Sequence, residues 1–242
     1  MPNWVKTIVK TKPEVLKDVM IKYSAGGKFS FDKVIPMPKD LDIESGSSGE
    51  LGLMFLFLES KDDIFKLKIN EVFHSLNPFH SDICRDKRFE DIETNFAKYK
   101  GDSEFANDIE LGKKYISNYN KYGHATWYDW CTDKWGTKWD LNSFQSNQDT
   151  MIFETAWGFA GNVILELSNK YPEAIFKCEF ADEGIMENSG KVIIQGGKVI
   201  EQRYGLLENE IDTIWNTYIE EDLGQEKTLS ENEIESEEEI DK

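Results

Sequence analysis

The sequence predicts an α+β fold, with helices packed against a mainly antiparallel sheet and a helical insertion in its middle. Three observations carry this. Apolar residues alternate with period two near both ends of the chain, a glycine pair between two such segments reads as a hairpin turn, and the stretch between the ends has helical spacing.

Trp4 to Lys10 sets Val5 and Val9 on one face and Lys6 and Lys10 on the other, the pattern of a half-buried strand. Pro13 suits a first helical turn, and Val15, Leu16, Val19 and Met20 follow at helical spacing. Ala25-Gly26-Gly27 is expected to end that helix, since glycine tolerates the left-handed conformation. A second strand is expected from Lys28 to Ile35, stopped by Pro36-Met37-Pro38. Asp42 to Gly52, rich in Ser and Gly, reads as a loop, and Leu53 to Leu58 fits either a buried helix or a short strand.

From Ser60 to Tyr122 the segments are helical. Ser60 with Asp63 resembles a capping box, followed by Ile64, Phe65, Leu67, Ile69 and Phe73. Asn77-Pro78 interrupts, and two further helices are expected over 86–99 and 103–119, parted by Gly101. Trp127 to Trp135 reads as a short helix, and Lys138 to Phe144 as strand or loop. Met151, Phe153, Thr155 and Trp157 alternate on one side of a strand, and Val163, Ile164 and Leu167 stripe a helix from Phe159 to Tyr171. Ala174, Phe176, Cys178 and Phe180 alternate in the next strand. Lys191 to Gln195 and Lys198 to Gln202 then flank Gly196-Gly197 as a hairpin. Leu207, Ile211, Ile214, Trp215 and Tyr218 mark a last amphipathic helix.

The chain has 242 residues and a net charge of −18. Residues 220–242 hold eleven acids and two bases, half of that total, and read as a solvated acidic tail. Such a charge repels phosphate backbones, so direct nucleic-acid binding is not favoured; a basic protein is the expected partner. No apolar run approaches the roughly 18–20 residues of a membrane span, and the first residues lack the pattern of a secretory signal. Three widely spaced cysteines (Cys84, Cys131, Cys178) fit reduced thiols. A cytoplasmic location is therefore expected.

Five segments together resemble a known family: MPNW at the start, FSFDKVIPMP (29–38), WYDWCTDKWGTKW (127–139), FETAWGF (153–159) and EFADEG (179–184). They are similar to an uncharacterised family of phage- and plasmid-borne proteins that includes the YubB-like proteins. The resemblance covers both ends but not residues 45–122, and this chain has Gly158-Phe159-Ala160 where prolines are expected. It implies a mobile-element origin and a ferredoxin-like sheet, and no activity. On this reading residues 1–44 are the N-terminal β-α-β part of the sheet domain and 45–122 a mainly helical insertion. Residues 123–219 are its ferredoxin-like C-terminal part, and 220–242 a disordered acidic tail.

No chemistry-bearing motif is compelling. Trp127, Trp130, Trp135 and Trp139, with Lys134 and Lys138 nearby, could stack a base, but packing onto the sheet is the simpler account. His74, His80 and Cys84 lack structural zinc spacing. His124 and Cys131, about two helical turns apart, lack an orienting third residue. Asp182, Glu183 and Glu187 beside Gly184 could hold magnesium, although an acidic loop is usually only solvated. Neither phosphate-cradling glycine motif is present. No cofactor and no metal are predicted.

The leading expectation is a non-enzymatic mobile-element protein that binds and inhibits a host nucleic-acid-handling defence complex, such as a CRISPR effector, by acidic mimicry. Its candidate surface acids are Glu104, Asp108, Glu110, Asp182, Glu183 and Glu187. The alternative is a nucleotide- or single-strand-binding protein that uses the block Trp127–Trp139.

Overall fold

The computed structural model describes residues 2–77, 82–100, 105–184 and 188–219. Its centre is β1 (Trp4–Lys10), flanked on one side by β5 (Thr150–Ala156) and on the other by β6 (Phe176–Asp182), both antiparallel to it. The six-stranded sheet is completed by β4 (Phe144–Ser146) beside β5, and by β7 (Ser189–Gln195) and β8 (Lys198–Tyr204) beyond β6. Helix α1 (Pro13–Lys22) follows β1, and α8 (Gly161–Lys170) links β5 to β6. The succession β1-α1-β4-β5-α8-β6, in spatial order β4-β5-β1-β6, is the ferredoxin-like topology, here lengthened by the β7–β8 hairpin. Gly196 and Gly197 make that hairpin turn, with φ of 56° and 71°.

The opening differs from a β-α-β unit. Helix α1 ends at Lys22 with Tyr23 as its cap, and Gly26-Gly27 turns a small hairpin between β2 (Ser24–Ala25) and β3 (Lys28–Phe29), outside the main sheet. The expected strand over Lys28–Ile35 is mostly a short helix, α2 (Phe31–Val34). Its cap comes from far along the chain: the Asp140 carboxylate accepts from Ser30 Oγ at 2.8 Å and from the Phe31 N–H at 3.0 Å. That tertiary cap overrides the local preference for strand.

Between α1 and β4 the chain runs through α3 (Ser47–Glu59), α4 (Asp63–Leu76), α5 (Lys87–Tyr99), α6 (Ala106–Tyr122) and α7 (Trp127–Lys134). Ser47 to Gly52 is thus helical where a loop was expected, and Asp62 caps α4 instead of a Ser60–Asp63 box. Helices α3 and α6 cross closely enough that a Cβ on Gly52 would lie 1.8 Å from the Asp108 carbonyl oxygen. Leu53, Met54, Phe55, Phe73, Phe89 and Tyr115 fill a helical core of their own.

The sheet's central strands are covered on both faces, so β1 is buried where a half-buried strand was expected. Val5, Val9, Phe153, Phe176 and Phe180 pack under α1, α7 and α8. Ile8, Ile152 and Ala181 pack against Leu206 and Ile214, the latter on α9 (Glu208–Trp215). Lys6 is 2% exposed beneath that helix. Its Nζ donates to the Trp215 carbonyl at 2.9 Å and stands 3.8 Å from the Tyr218 ring centroid, and burial lowers its pKa. Among the described residues, no helix is long and apolar enough to cross a membrane.

Candidate functional site

Four of the five segments quoted above meet at one corner, where β1 begins and β5 and β6 end. Trp4 opens β1 opposite Ala156, the last residue of β5. The next residue, Trp157, has φ 67°, the single positive φ of a non-glycine among the described residues. Each neighbouring group fixes that conformation. The Trp157 N–H donates to the Asn3 carbonyl at 2.9 Å, and Asn188 Nδ2 donates to the Trp157 carbonyl at 3.2 Å. Thr155 Oγ1 donates to the Gly158 carbonyl at 2.7 Å, and Gly136 lies so close that a Cβ on Gly158 would sit 2.3 Å from the Gly136 oxygen. A left-handed non-glycine persists only when its surroundings determine it this fully. The sequence placed Trp157 on one side of a strand with Met151, Phe153 and Thr155; the strand instead ends at Ala156, and Trp157 is 46% exposed.

The loop after Gly136 brings Lys138 and Trp139 to the same corner. Lys138 Nζ stands 4.4 Å from the Trp157 ring centroid, 4.7 Å from Trp139 and 5.7 Å from Tyr128. Trp4 backs Trp139, ring centroids 6.5 Å apart. Tyr128 is set by the start of α7, where Thr126 and Asp129 form a capping box.

Acids complete the corner, but mostly from inside. Asp182 is 3% exposed, not a surface acid as expected. Its carboxylate accepts from the Gly184 N–H at 2.8 Å, Asn188 Nδ2 at 3.1 Å and Asn3 Nδ2 at 3.4 Å, so it braces the turn after β6. A side chain this fully engaged is a support, not a contact surface. Glu183 is exposed and accepts from the Trp4 N–H at 3.0 Å.

The other sequence candidates fall elsewhere. Trp130 and Trp135 are core residues, rings 5.4 Å apart, with Trp135 Nε1 donating to the Ile35 carbonyl; they cannot stack a ligand. Trp127 packs partly buried against the same core. Of those four tryptophans, Trp139 is the one that reaches the corner. Asp108 and Glu110 lie on α6, away from the sheet; Asp108 is half-buried beside α3, and Glu110 pairs with Lys113. Glu104, Glu187, His80 and the tail 220–242 lie outside the described residues.

Other ionisable groups are engaged in packing. Cys131 is buried with its Sγ 4.0 Å from Met37 Sδ, and burial pushes its thiol up to about 12, against nucleophilic use. His124 faces the Tyr122 carbonyl and Asp133, not Cys131. Among the described residues no three His, Cys, Asp or Glu side chains gather as a metal site would require. The corner can therefore present aromatic faces and a cation to a ligand; its carboxylates hold the frame.

Residues 134–239 match a family model described as the ferredoxin-like domain in Api92-like protein. The match includes Lys138, Trp139 and Trp157 but stops short of Trp4 and Tyr128, and the central strand β1 lies outside it. A crystal structure of a protein api92 from Yersinia pseudotuberculosis is 12% identical over 86% of this chain and 99% of its own, with a TM-score of 0.38, a likeness too low to carry an argument. No curated protein matches the chain.

Proposed function

We propose that the chain is a non-enzymatic binding protein that engages a macromolecular partner with a basic surface. The aromatic corner supplies the anchor, and the net charge of −18 supplies long-range attraction. Trp157 carries this reading: an exposed indole is held in an unfavourable backbone conformation by three neighbouring segments, an expense that packing alone does not require. In its finer form the proposal makes the partner a host nucleic-acid-handling defence complex, such as a CRISPR effector. The chain is then a cytoplasmic inhibitor carried by a phage or plasmid. The charge supports this form, because an acidic exterior suits a channel built for phosphates.

A second reading is favoured by Lys138, whose ammonium stands beside the exposed Trp157 ring. An indole and an ammonium side by side suit a nucleotide, base on ring and phosphate on cation. Affinity capture from host extract, followed by titration of the captured protein against salt, tests the proposal. Binding that weakens steeply with salt supports it; quenching of tryptophan fluorescence by AMP or a short oligonucleotide, with no captured protein, replaces it by the second reading.

A further inference from the structure

We infer that the aromatic corner is a receptor for a cationic side chain, a lysine or arginine of a protein partner, and that Lys138 is its built-in occupant. The inference rests on the binding reading and names the chemistry of its site. Three rings from three separate segments face one ammonium: Tyr128 from α7, Trp139 from the loop after it, and Trp157 from the end of β5. All three centroids lie within the roughly 6 Å over which a ring quadrupole attracts a cation. The rings themselves surround the ammonium, and a cation is the chemistry they suit.

Lys138 is also replaceable. It sits on a flexible four-carbon stem at a half-buried position, so it can swing out while Asn3 and Asn188 keep the Trp157 backbone in place and Trp4 backs Trp139. A partner's lysine or arginine then exchanges one cation for another. Glu183, bonded to the Trp4 backbone, keeps a negative charge at the rim. The affinity of a self-occupied receptor for its ligand is scaled down to the fraction of time that it stands vacant. Removing the occupant should therefore tighten binding.

The test uses the full chain and follows the indole N–H signals of Trp139 and Trp157 by NMR. The probes are Nα-acetyl-trimethyllysine amide and Nα-acetyl-arginine amide, with AMP as the anionic probe. Lys138→Ala is expected to bind both cations about threefold or more tighter than the parent, and Lys138→Ala with Trp157→Ala to lose them. Lys138→Gln serves if alanine disturbs the fold. A folded Lys138→Ala that shows no shift at millimolar cation overturns the inference, as does a parent that prefers AMP. A captured partner whose affinity falls with Trp157→Ala but is unmoved by a folded Lys138→Ala also overturns it, yet leaves the binding reading standing; failure to capture any partner counts against that reading alone.

Discussion

Asn188 joins Asp182 to Trp157: its Nδ2 donates both to the Asp182 carboxylate at 3.1 Å and to the Trp157 carbonyl at 3.2 Å. A buried acid at the end of β6 is thereby tied to the strained residue at the end of β5, across the start of β1. The corner is thus a property of the sheet's three central strands. Its rings inherit their rigidity.

The strain at Trp157 should be separable from its ring. A left-handed conformation costs a non-glycine residue roughly 1–2 kcal/mol. Trp157→Gly removes both the cost and the indole, whereas Trp157→Ala removes only the indole. In urea denaturation Trp157→Gly should be the more stable of the two, and both should lose partner binding.

Asp182 should behave as a structural brace. Asp182→Ala leaves the Gly184 N–H and the Asn3 and Asn188 amides short of an acceptor, at a cost of about 1–3 kcal/mol. Asp182→Asn should recover part of it. Equilibrium unfolding measures both.

The α3–α6 crossing should be intolerant of any added carbon. Gly52→Ala places a Cβ against the Asp108 carbonyl, and Gly112→Ala one 2.7 Å from the Gly52 carbonyl carbon. Backbone cannot yield as a flexible side chain can, so each should cost about 1–3 kcal/mol or more. Loss of melting temperature reads the effect.

Acid should loosen the seat of α9. Arg203 donates to Glu210 through both terminal guanidinium nitrogens, Nη1 and Nη2, and with the Leu207 N–H it holds the Glu210 carboxyl down to about 2. A depressed carboxyl stabilises the fold fully above its unfolded value near 4.5, and that share is lost as pH falls through about 2. Tryptophan emission followed from pH 6 to pH 2 should therefore change less in Glu210→Gln than in the parent, an outcome set by this linkage.

Much of the sheet was legible because its signals are local. Trp4–Lys10, Phe176–Phe180 and the Gly196-Gly197 hairpin announce themselves by period-two spacing and a glycine pair. What escaped depends on distant partners. Phe31–Val34 is helical because Asp140 caps it from more than a hundred residues away, and Gly49 and Gly52 resemble loop glycines until Tyr115 and Gly112 are placed against them. The corner was hidden for the same reason. Trp139 drew notice inside a dense aromatic block, but Trp4 and Trp157 join it only through strand pairing. The available signal was the repeated Trp-Gly step, Trp135-Gly136 and Trp157-Gly158, which marks two sharp turns packed on one another.

The central claim is that the corner anchors a basic partner. Its most direct test is the Kd of the captured partner for the parent and for Trp157→Ala at one salt concentration. The account predicts a loss of about tenfold or more, as for an aromatic anchor at an interface centre, with the fold intact by circular dichroism. An unchanged Kd in a folded Trp157→Ala would contradict it.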